Sequence, residues 1–422
     1  MESVNFKKMI STSGIGFIFR LFGLGTSFLV TMLISRLFSV GIFGNYSLAF
    51  TIAQATALVF ALGIPSALVK IVGNNSYTYL QAKKLLIKGL KITLVFSIVP
   101  VMFFFFGAGF LSETIFKSDV LSNYFVVICL VLPLFIFHEL FLFFFISVKK
   151  FKLYNIFMFG LPNLLLLGFL YLFYTLKMPE YYTFIAFAIS MLIVVITEAF
   201  MVFEIKPKIV DTPLSSAALV KTAWPLLFSG LMLYLLNWTD LIMLGMMVDE
   251  DEVGIYNIAY KIGTLGFLVI VTVNIIMMPK MAELYGKGDL SGLKKFIHKS
   301  TRLIIFTTLP IVACIVGLSG YILSFFGEEA IAGQSTLIII SAGILFSAMC
   351  GNTDQILNMT GNEKVFRNIT VVCFLANISL NYLLIPVYGI NGAAIASVIT
   401  NALLNVISLF YMKKRLGFYT FA

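Results

Sequence analysis

Twelve apolar stretches divide this chain, each long enough to cross a ~30 Å hydrocarbon core as a helix rising ~1.5 Å per residue. They cover residues 13–37, 44–69, 87–109, 121–147, 154–176, 181–203, 221–248, 254–279, 301–326, 333–359, 365–386 and 389–412, with short polar punctuation between them. Inside a bilayer no water is available to backbone amides and carbonyls, so segments of this length settle as helices. Of 422 residues, 60% are hydrophobic and 11% are charged, against about 25% charged in a soluble domain. Such a chain cannot clothe a water-facing surface. The expected fold class is an all-α integral membrane protein with twelve transmembrane helices.

Charge sets the orientation. With the N-terminus cytoplasmic, the inner segments hold 24 of the 29 Lys and Arg residues, from Lys7 and Lys8 to Lys413, Lys414 and Arg415. The outer side holds Arg36, Lys117 and Lys177, while the outer loops carry the acidic runs Asp249 to Glu252 and Glu328–Glu329. This asymmetry satisfies the positive-inside rule and puts both termini in the cytoplasm. It also accounts for the net charge of +10 without nucleic acid, because the basic residues are scattered rather than gathered in one aromatic-interleaved patch. The lipid bilayer is the partner such charges suit. No small-residue cleavage site follows the first apolar run, so span 1 is expected to be a retained helix.

Several chemistries are excluded. Cys129, Cys314, Cys350 and Cys373 all fall inside spans, with no CxxC or His-rich spacing, so they are expected as small core residues and no metal or cofactor is implied. No GxxxxGK[ST] occurs to hydrolyse a nucleotide. The outer loops are too short for the gripping domain of a glycan-building enzyme. In the longest inner loop, 280–300, Leu293, Phe296 and Ile297 recur at helical spacing among lysines. That pattern predicts a short helix lying on the cytoplasmic interface, with His298 solvated. Transport, not catalysis, is what remains.

The chain repeats itself. GIFGNYSLAF (41–50) returns as DEVGIYNIAY (251–260), so that Gly44, Tyr46 and Ala49 recur as Gly254, Tyr256 and Ala259. Both copies open an even-numbered span, which makes two halves of six spans with the same topology. The expected lobes are 1–203 and 221–422, joined by a cytoplasmic linker at 204–220 that holds Pro207 and Pro213.

Four stretches resemble motifs of one family. NWTDLIMLGMMVDEDEVGIYNIAYKI (237–262) is similar to the D-x-x-x-L-G…VG-x-Y-x-x-A-Y signature of polysaccharide transporters. LIPVYGINGAAIASVITN (384–401) resembles their IP-x-YG-x-x-GAA-x-A passage from span 11 to span 12. DQILNMTGNEK (354–364) resembles their exit from span 10, and ISRLFSVGIFGNY (34–46) their first outer turn. The resemblance is to the Wzx-type flippases of O-antigen and capsule repeat units, within the multidrug/oligosaccharidyl-lipid/polysaccharide superfamily. It implies two six-helix lobes around a central cavity in the bacterial cytoplasmic membrane. It also implies translocation of undecaprenyl-pyrophosphate-linked oligosaccharide from the inner to the outer leaflet, alongside a polysaccharide polymerase and other assembly proteins.

The chemistry of such a cargo selects candidates. A diphosphate crossing a membrane needs fixed cations in a wet cavity, and arginine offers a permanently charged planar fork. Arg20, in RLFGLG, lies about seven residues inside span 1, roughly 10 Å deep; Gly23 and Gly25 beside it would let the helix bend or a ligand approach. Two readings of Arg20 stand: it meets a phosphate, or Glu139 or Glu198 at similar depth neutralises it. Arg36 either joins the site or snorkels to the outer interface. Asp240 in span 7 and Lys261 in span 8 lie at matching depth, which predicts an ion pair acting as a gate or fold-specifying device. Lys261 would otherwise receive the diphosphate from outside. His138 beside Glu139 suggests a proton relay or a satisfied buried histidine. Asp354, with Asn352, Thr353 and Gln355, faces the cavity or bonds between helices.

Two rivals are set against the flippase. A cation-coupled multidrug antiporter on the same scaffold would want an anionic cavity, yet spans 1 and 2 hold no Asp or Glu. A membrane enzyme of glycan assembly lacks the outer loops it would need.

Overall fold

The computed structural model describes residues 6–75, 77–203 and 215–421. They form two compact units, Met1–Leu231 and Met232–Ala422. The greater part of the expected linker, 204–214, lies outside the described residues.

In the first unit, span 1 is α1 (Phe6–Leu37). Span 2 divides into α2 (Val40–Phe60) and α3 (Ile64–Asn75), parted where Leu62 and Gly63 take positive φ. Span 3 is α4 (Tyr79–Phe110) and span 4 is α5 (Leu121–Ser147). Span 5 pairs α6 (Phe151–Asn155) with α7 (Leu161–Thr175) through a π-helical turn, Ile156–Gly160, and span 6 is α8 (Tyr182–Phe203). α9 (Ser216–Met247) begins in this unit and ends in the second.

In the second unit, span 8 is α10 (Glu250–Gly263) followed by α11 (Phe267–Gly286). Span 9 is α12 (Leu290–Gly317), with the short α13 (Ser319–Ser324) after it. Span 10 is α14 (Gln334–Cys350) and α15 (Thr353–Met359), and α16 (Glu363–Leu416) carries spans 11 and 12. Among the described residues, ten helical stretches are long and apolar enough to cross a membrane. α16 counts once there although it has two arms, and α9 adds a further helix of 32 residues. Twelve crossings result, as expected.

Local chemistry sets the helix ends. Ser39 accepts a hydrogen bond from the Ile42 amide at the start of α2, and Thr78 and Gln81 form a capping box at the start of α4. Glu250, Asp251 and Glu252 fill the first turn of α10, and Lys413, Lys414 and Arg415 the last turn of α16. The charges that orient the chain thus also oppose the helix dipoles. The reversal inside α16 is set by glycine. Gly389 has φ 55° and ψ −134°, and a Cβ on Gly392 would collide with the Leu384 carbonyl. That is the physical content of the YGINGAA stretch.

Burial follows the hydrocarbon. Val95, Val99, Phe103 and Phe106 of α4 are exposed, the side-chain chemistry of a lipid-facing surface, whereas Phe104 is buried. Leu140, Phe141, Phe144 and Phe145 of α5 all pack inside. Cys350 and Cys373 are core residues as expected and Cys129 is half-buried, but Cys314 is exposed.

The 280–300 segment corrects an expectation. It is not a separate interfacial helix: α12 starts at Leu290 and continues unbroken into span 9, capped by Asp289, which accepts from the Gly292 amide at 2.8 Å. Leu293 and Ile297 are buried in a cluster with Met281, Leu357, Met412 and Phe418. His298 is half-buried, with Nε2 2.9 Å from the Tyr419 carbonyl. The helical spacing was legible, but the core that covers the apolar face is built from segments far along the chain. On the exposed side, hydrogen bonds from Lys287 and Lys280 hold the Glu283 carboxyl down at about 2.

Candidate functional site

In the second unit α9 presents Asp240, 2% exposed, to donors from three other segments. Tyr256 of α10 donates its hydroxyl to Oδ2 at 2.7 Å, and Ser397 donates to the same oxygen. Asn381 donates from Nδ2 to Oδ1 at 3.4 Å and also to Oδ1 of Asn377 at 3.0 Å. Among the described residues, Asn381 Oδ1 and Asn377 Nδ2 have no hydrogen-bond partner. The reversal at Gly389 brings Asn381 and Ser397 together from the two arms of α16.

This cage corrects the expected Asp240–Lys261 ion pair: the hydrogen-bonded partners of Asp240 are two hydroxyls and an amide. Depth and azimuth both differ from the expectation: Tyr256 is the α10 residue that reaches Asp240, and Lys261 lies about 7.5 Å further along the helix. Tyr256 and Tyr260 share one face of α10, whereas Lys261 is five residues beyond Tyr256, about 140° around the helix. Lys261 is half-buried in the last turn of α10. Beside the cage, Tyr256 and Tyr260 stack with centroids 5.9 Å apart, and Trp238 meets Tyr260 at 6.2 Å. Burying a carboxylate carries an electrostatic cost that a proton or small cation would relieve and that the three neutral donors offset in part.

The first unit has its own buried pair. His138 Nδ1 of α5 lies 3.0 Å from Glu198 Oε1 of α8, with Glu198 fully buried and its Oε2 without a partner among the described residues. The histidine's partner is therefore Glu198, sixty residues away, not its neighbour Glu139. Adjacent helical residues point about 100° apart. Lys83 was counted among the loop cations, yet α4 buries it to 2% exposure with Nζ 5.2 Å from the Phe203 ring centroid.

Arg20 is exposed on α1, close enough to Tyr154 for its charge to act on the phenol. Among the described residues neither Glu139 nor Glu198 is bonded to it, so the neutralising reading gains no support from the geometry. Gly23 serves packing: a Cβ there would come within 2.8 Å of Phe159 Cβ, in the π-helical turn of span 5. Asn163 fastens the same contact, donating to the Gly23 carbonyl at 3.2 Å and to Thr26 Oγ1 at 3.1 Å. RLFGLG thus seats α1 against span 5, with Arg20 exposed beside Tyr154 of that same span. A Cβ on Gly25 would meet nothing within 4 Å among the described residues. Arg36 is exposed at the C-terminal end of α1.

At the break in span 10, Asp354 accepts from Gln355 Nε2 at 2.9 Å. Thr353 donates to Asn405 Oδ1 at 3.0 Å, and Asn405 donates to Ser347 Oγ at 3.2 Å. Thr353 therefore bonds between helices. Asn352 is buried, with neither amide atom partnered among the described residues.

Comparison with known proteins places this architecture. Among solved structures, an inward-facing multidrug resistance MATE family transporter of the MOP superfamily superposes with a TM-score of 0.78 at 15% identity, over 94% of each chain. Lipid II flippase MurJ in an inward closed conformation gives 0.77 at 17% identity, over 96% of this chain and 87% of that one. The fold is one that transporters and flippases of known structure use. Among curated sequences, probable flippase AglR of Haloferax volcanii is 27% identical over 41% of this chain and 37% of its own length. Capsular polysaccharide biosynthesis protein CapF of Staphylococcus aureus is 28% identical over 46% and 48%. The matched segments thus span less than half of these relatives. The MatE family profile matches residues 225–383, and the profile described as Polysaccharide biosynthesis protein matches residues 6–285. This multi-pass membrane protein belongs to the polysaccharide biosynthesis protein family.

Proposed function

We propose that the protein is a flippase carrying undecaprenyl-diphosphate-linked oligosaccharide from the inner to the outer leaflet of a bacterial cytoplasmic membrane, for capsule or O-antigen assembly. Both termini are cytoplasmic, the lobes 1–203 and 221–422 alternate access, and a polymerase takes up the product. The observation that carries the reading is Arg20, an exposed guanidinium inside a span with no carboxylate bonded to it among the described residues. A cation at that depth in lipid costs about 2.5–3.5 kcal/mol, and a diphosphate offsets that cost. Lys261 and Arg36 extend the anion path outward. Asp240 in its neutral cage is the coupling site, taking up a proton or monovalent cation. The His138–Glu198 pair and Glu139 in the first unit, and Asp354 in the second, are the further gate or coupling groups of this reading.

The names of AglR and CapF and the fold shared with MurJ support this reading. A multidrug antiporter is the second reading, favoured by a match to the probable multidrug resistance protein NorM of Haemophilus ducreyi, 25% identical over 45% of this chain. The deciding experiment reconstitutes the protein in liposomes with lipid-linked oligosaccharide on one leaflet. Protein-dependent appearance of the glycan on the other leaflet is expected. Absence of flipping, together with proton-driven export of an organic cation, would replace the flippase with the antiporter.

A further inference from the structure

Gly16 and Gly23, seven residues apart, share one face of α1. A Cβ on Gly16 would lie 3.6 Å from Asn155 Nδ2, and one on Gly23 would lie 2.8 Å from Phe159 Cβ. The contacts follow in the same order along both segments, so α1 and span 5 are parallel neighbours. Arg20 sits between the two glycines, about 40–60° around the helix from their face, and therefore flanks the seam. Across the seam Asn155 directly follows Tyr154, the residue whose phenol feels the Arg20 charge.

The π-helical turn Ile156–Gly160 fixes the tyrosine ring. On a regular α-helix, residues five apart point about 140° away from each other. Across this turn Tyr154 and Phe159 instead meet edge to face, with centroids 6.3 Å apart and 86° between planes. Phe159 thus touches both the ring of Tyr154 and α1 at Gly23, three residues from Arg20. A guanidinium and a phenol are held side by side by this packing. Arg20 is exposed and Tyr154 half-buried, and among the described residues no hydrogen bond or ion pair occupies either polar group.

From this juxtaposition we infer that Tyr154 and Arg20 together bind a phosphate group, the phenol hydroxyl donating to an oxygen that the guanidinium fork leaves open. A carboxylate has two oxygens, and a bidentate fork takes both. A phosphate ester keeps further oxygens for a second donor. An organic cation is repelled by the guanidinium. Phosphate comes to the end of these spans on the diphosphate of the cargo or on the headgroup of an anionic phospholipid. The inference deepens the flippase reading and, for the first source, rests on it.

Tyr154→Phe removes the hydroxyl and keeps the ring against Phe159. The purified protein and its Tyr154→Phe, Arg20→Lys and double variants are titrated with three lipids. These are undecaprenyl diphosphate, undecaprenol, which lacks the phosphates, and phosphatidylglycerol. Tyr154→Phe is expected to weaken diphosphate binding about tenfold, ~1.4 kcal/mol, with undecaprenol binding and melting temperature unchanged. The double variant should lose less than the sum of the single losses, because two donors on one phosphate are coupled. Additive losses overturn the shared ligand. A loss confined to phosphatidylglycerol keeps the phosphate site, assigns it to the headgroup and withdraws Arg20 from the flippase reading. Unchanged diphosphate binding in Tyr154→Phe, with a loss in Arg20→Lys, overturns the role of Tyr154 and leaves the flippase standing. If the parent protein binds the diphosphate no better than undecaprenol and does not bind phosphatidylglycerol, the site and the role of Arg20 both fall.

Discussion

Asn381 and Ser397 stand eight residues before and eight residues after Gly389, and each donates a hydrogen bond to the carboxylate of Asp240. Equal arms on either side of a reversal bring both side chains to one depth, so the backbone turn and the polar cage are a single construction. Gly389 needs a positive φ, and Gly392 touches the facing carbonyl. Gly392→Ala should therefore lower the melting temperature of the purified protein and disturb the cage some distance away. Each forced backbone distortion of this kind costs about 1–3 kcal/mol. An unchanged melting temperature would mean that the arms can separate freely.

The cage argues against charge swapping. Asp240→Lys combined with Lys261→Asp should fail to recover the protein lost in Asp240→Lys, since the partners of Asp240 are Tyr256, Ser397 and Asn381. Asp240→Asn, nearly isosteric, should fold and lose ion-driven transport. Recovery of abundance in the double reversal, read by immunoblot of membranes, would restore the ion pair.

For Arg20, the alanine variant should reach normal abundance while lipid-linked oligosaccharide accumulates in the inner leaflet. Arg20→Lys should keep partial transport, because a point charge retains attraction but loses the bidentate fork. Adding Glu198→Gln to Arg20→Ala should not rescue flipping, since Glu198 already pairs with His138. Rescue by that second change would end the phosphate-binding role.

His138→Ala should destabilise the first unit by about 1–3 kcal/mol, the cost of leaving a buried polar group unsatisfied. His138→Ala with Glu198→Leu should regain part of that stability in thermal denaturation, having removed both partners. If the double variant is weaker than His138→Ala, Glu198 is held by something other than the histidine.

The residues after α16 are structural as well. Phe418 is buried in the cluster around Leu357 and Met412, Thr420 donates to the Cys350 carbonyl at 2.6 Å, and Lys413 lies 4.5 Å from the Tyr419 ring centroid. Phe418→Ala should cost about 3–5 kcal/mol, the range for a deleted core aromatic. Thr420→Val should cost about 1 kcal/mol. Both are read as losses of melting temperature, and no loss in Phe418→Ala would detach this segment from the core.

The sequence by itself determined the twelve crossings and the family motifs, because insertion into hydrocarbon is a sum of local transfer free energies and every span contributes its own. It did not determine the helix ends, such as the start of α12 at Leu290. It also exposed the YGINGAA reversal, where only glycine fits. Partnership across helices was decided by tertiary structure. Asp240 met Tyr256 instead of Lys261, and His138 met Glu198 instead of Glu139. Lys83 went inside although its neighbours Lys84 and Lys88 read the same. In each case sequence spacing gives position along one helix, while the depth and azimuth that meet a partner depend on how distant segments pack, and no local pattern encodes them.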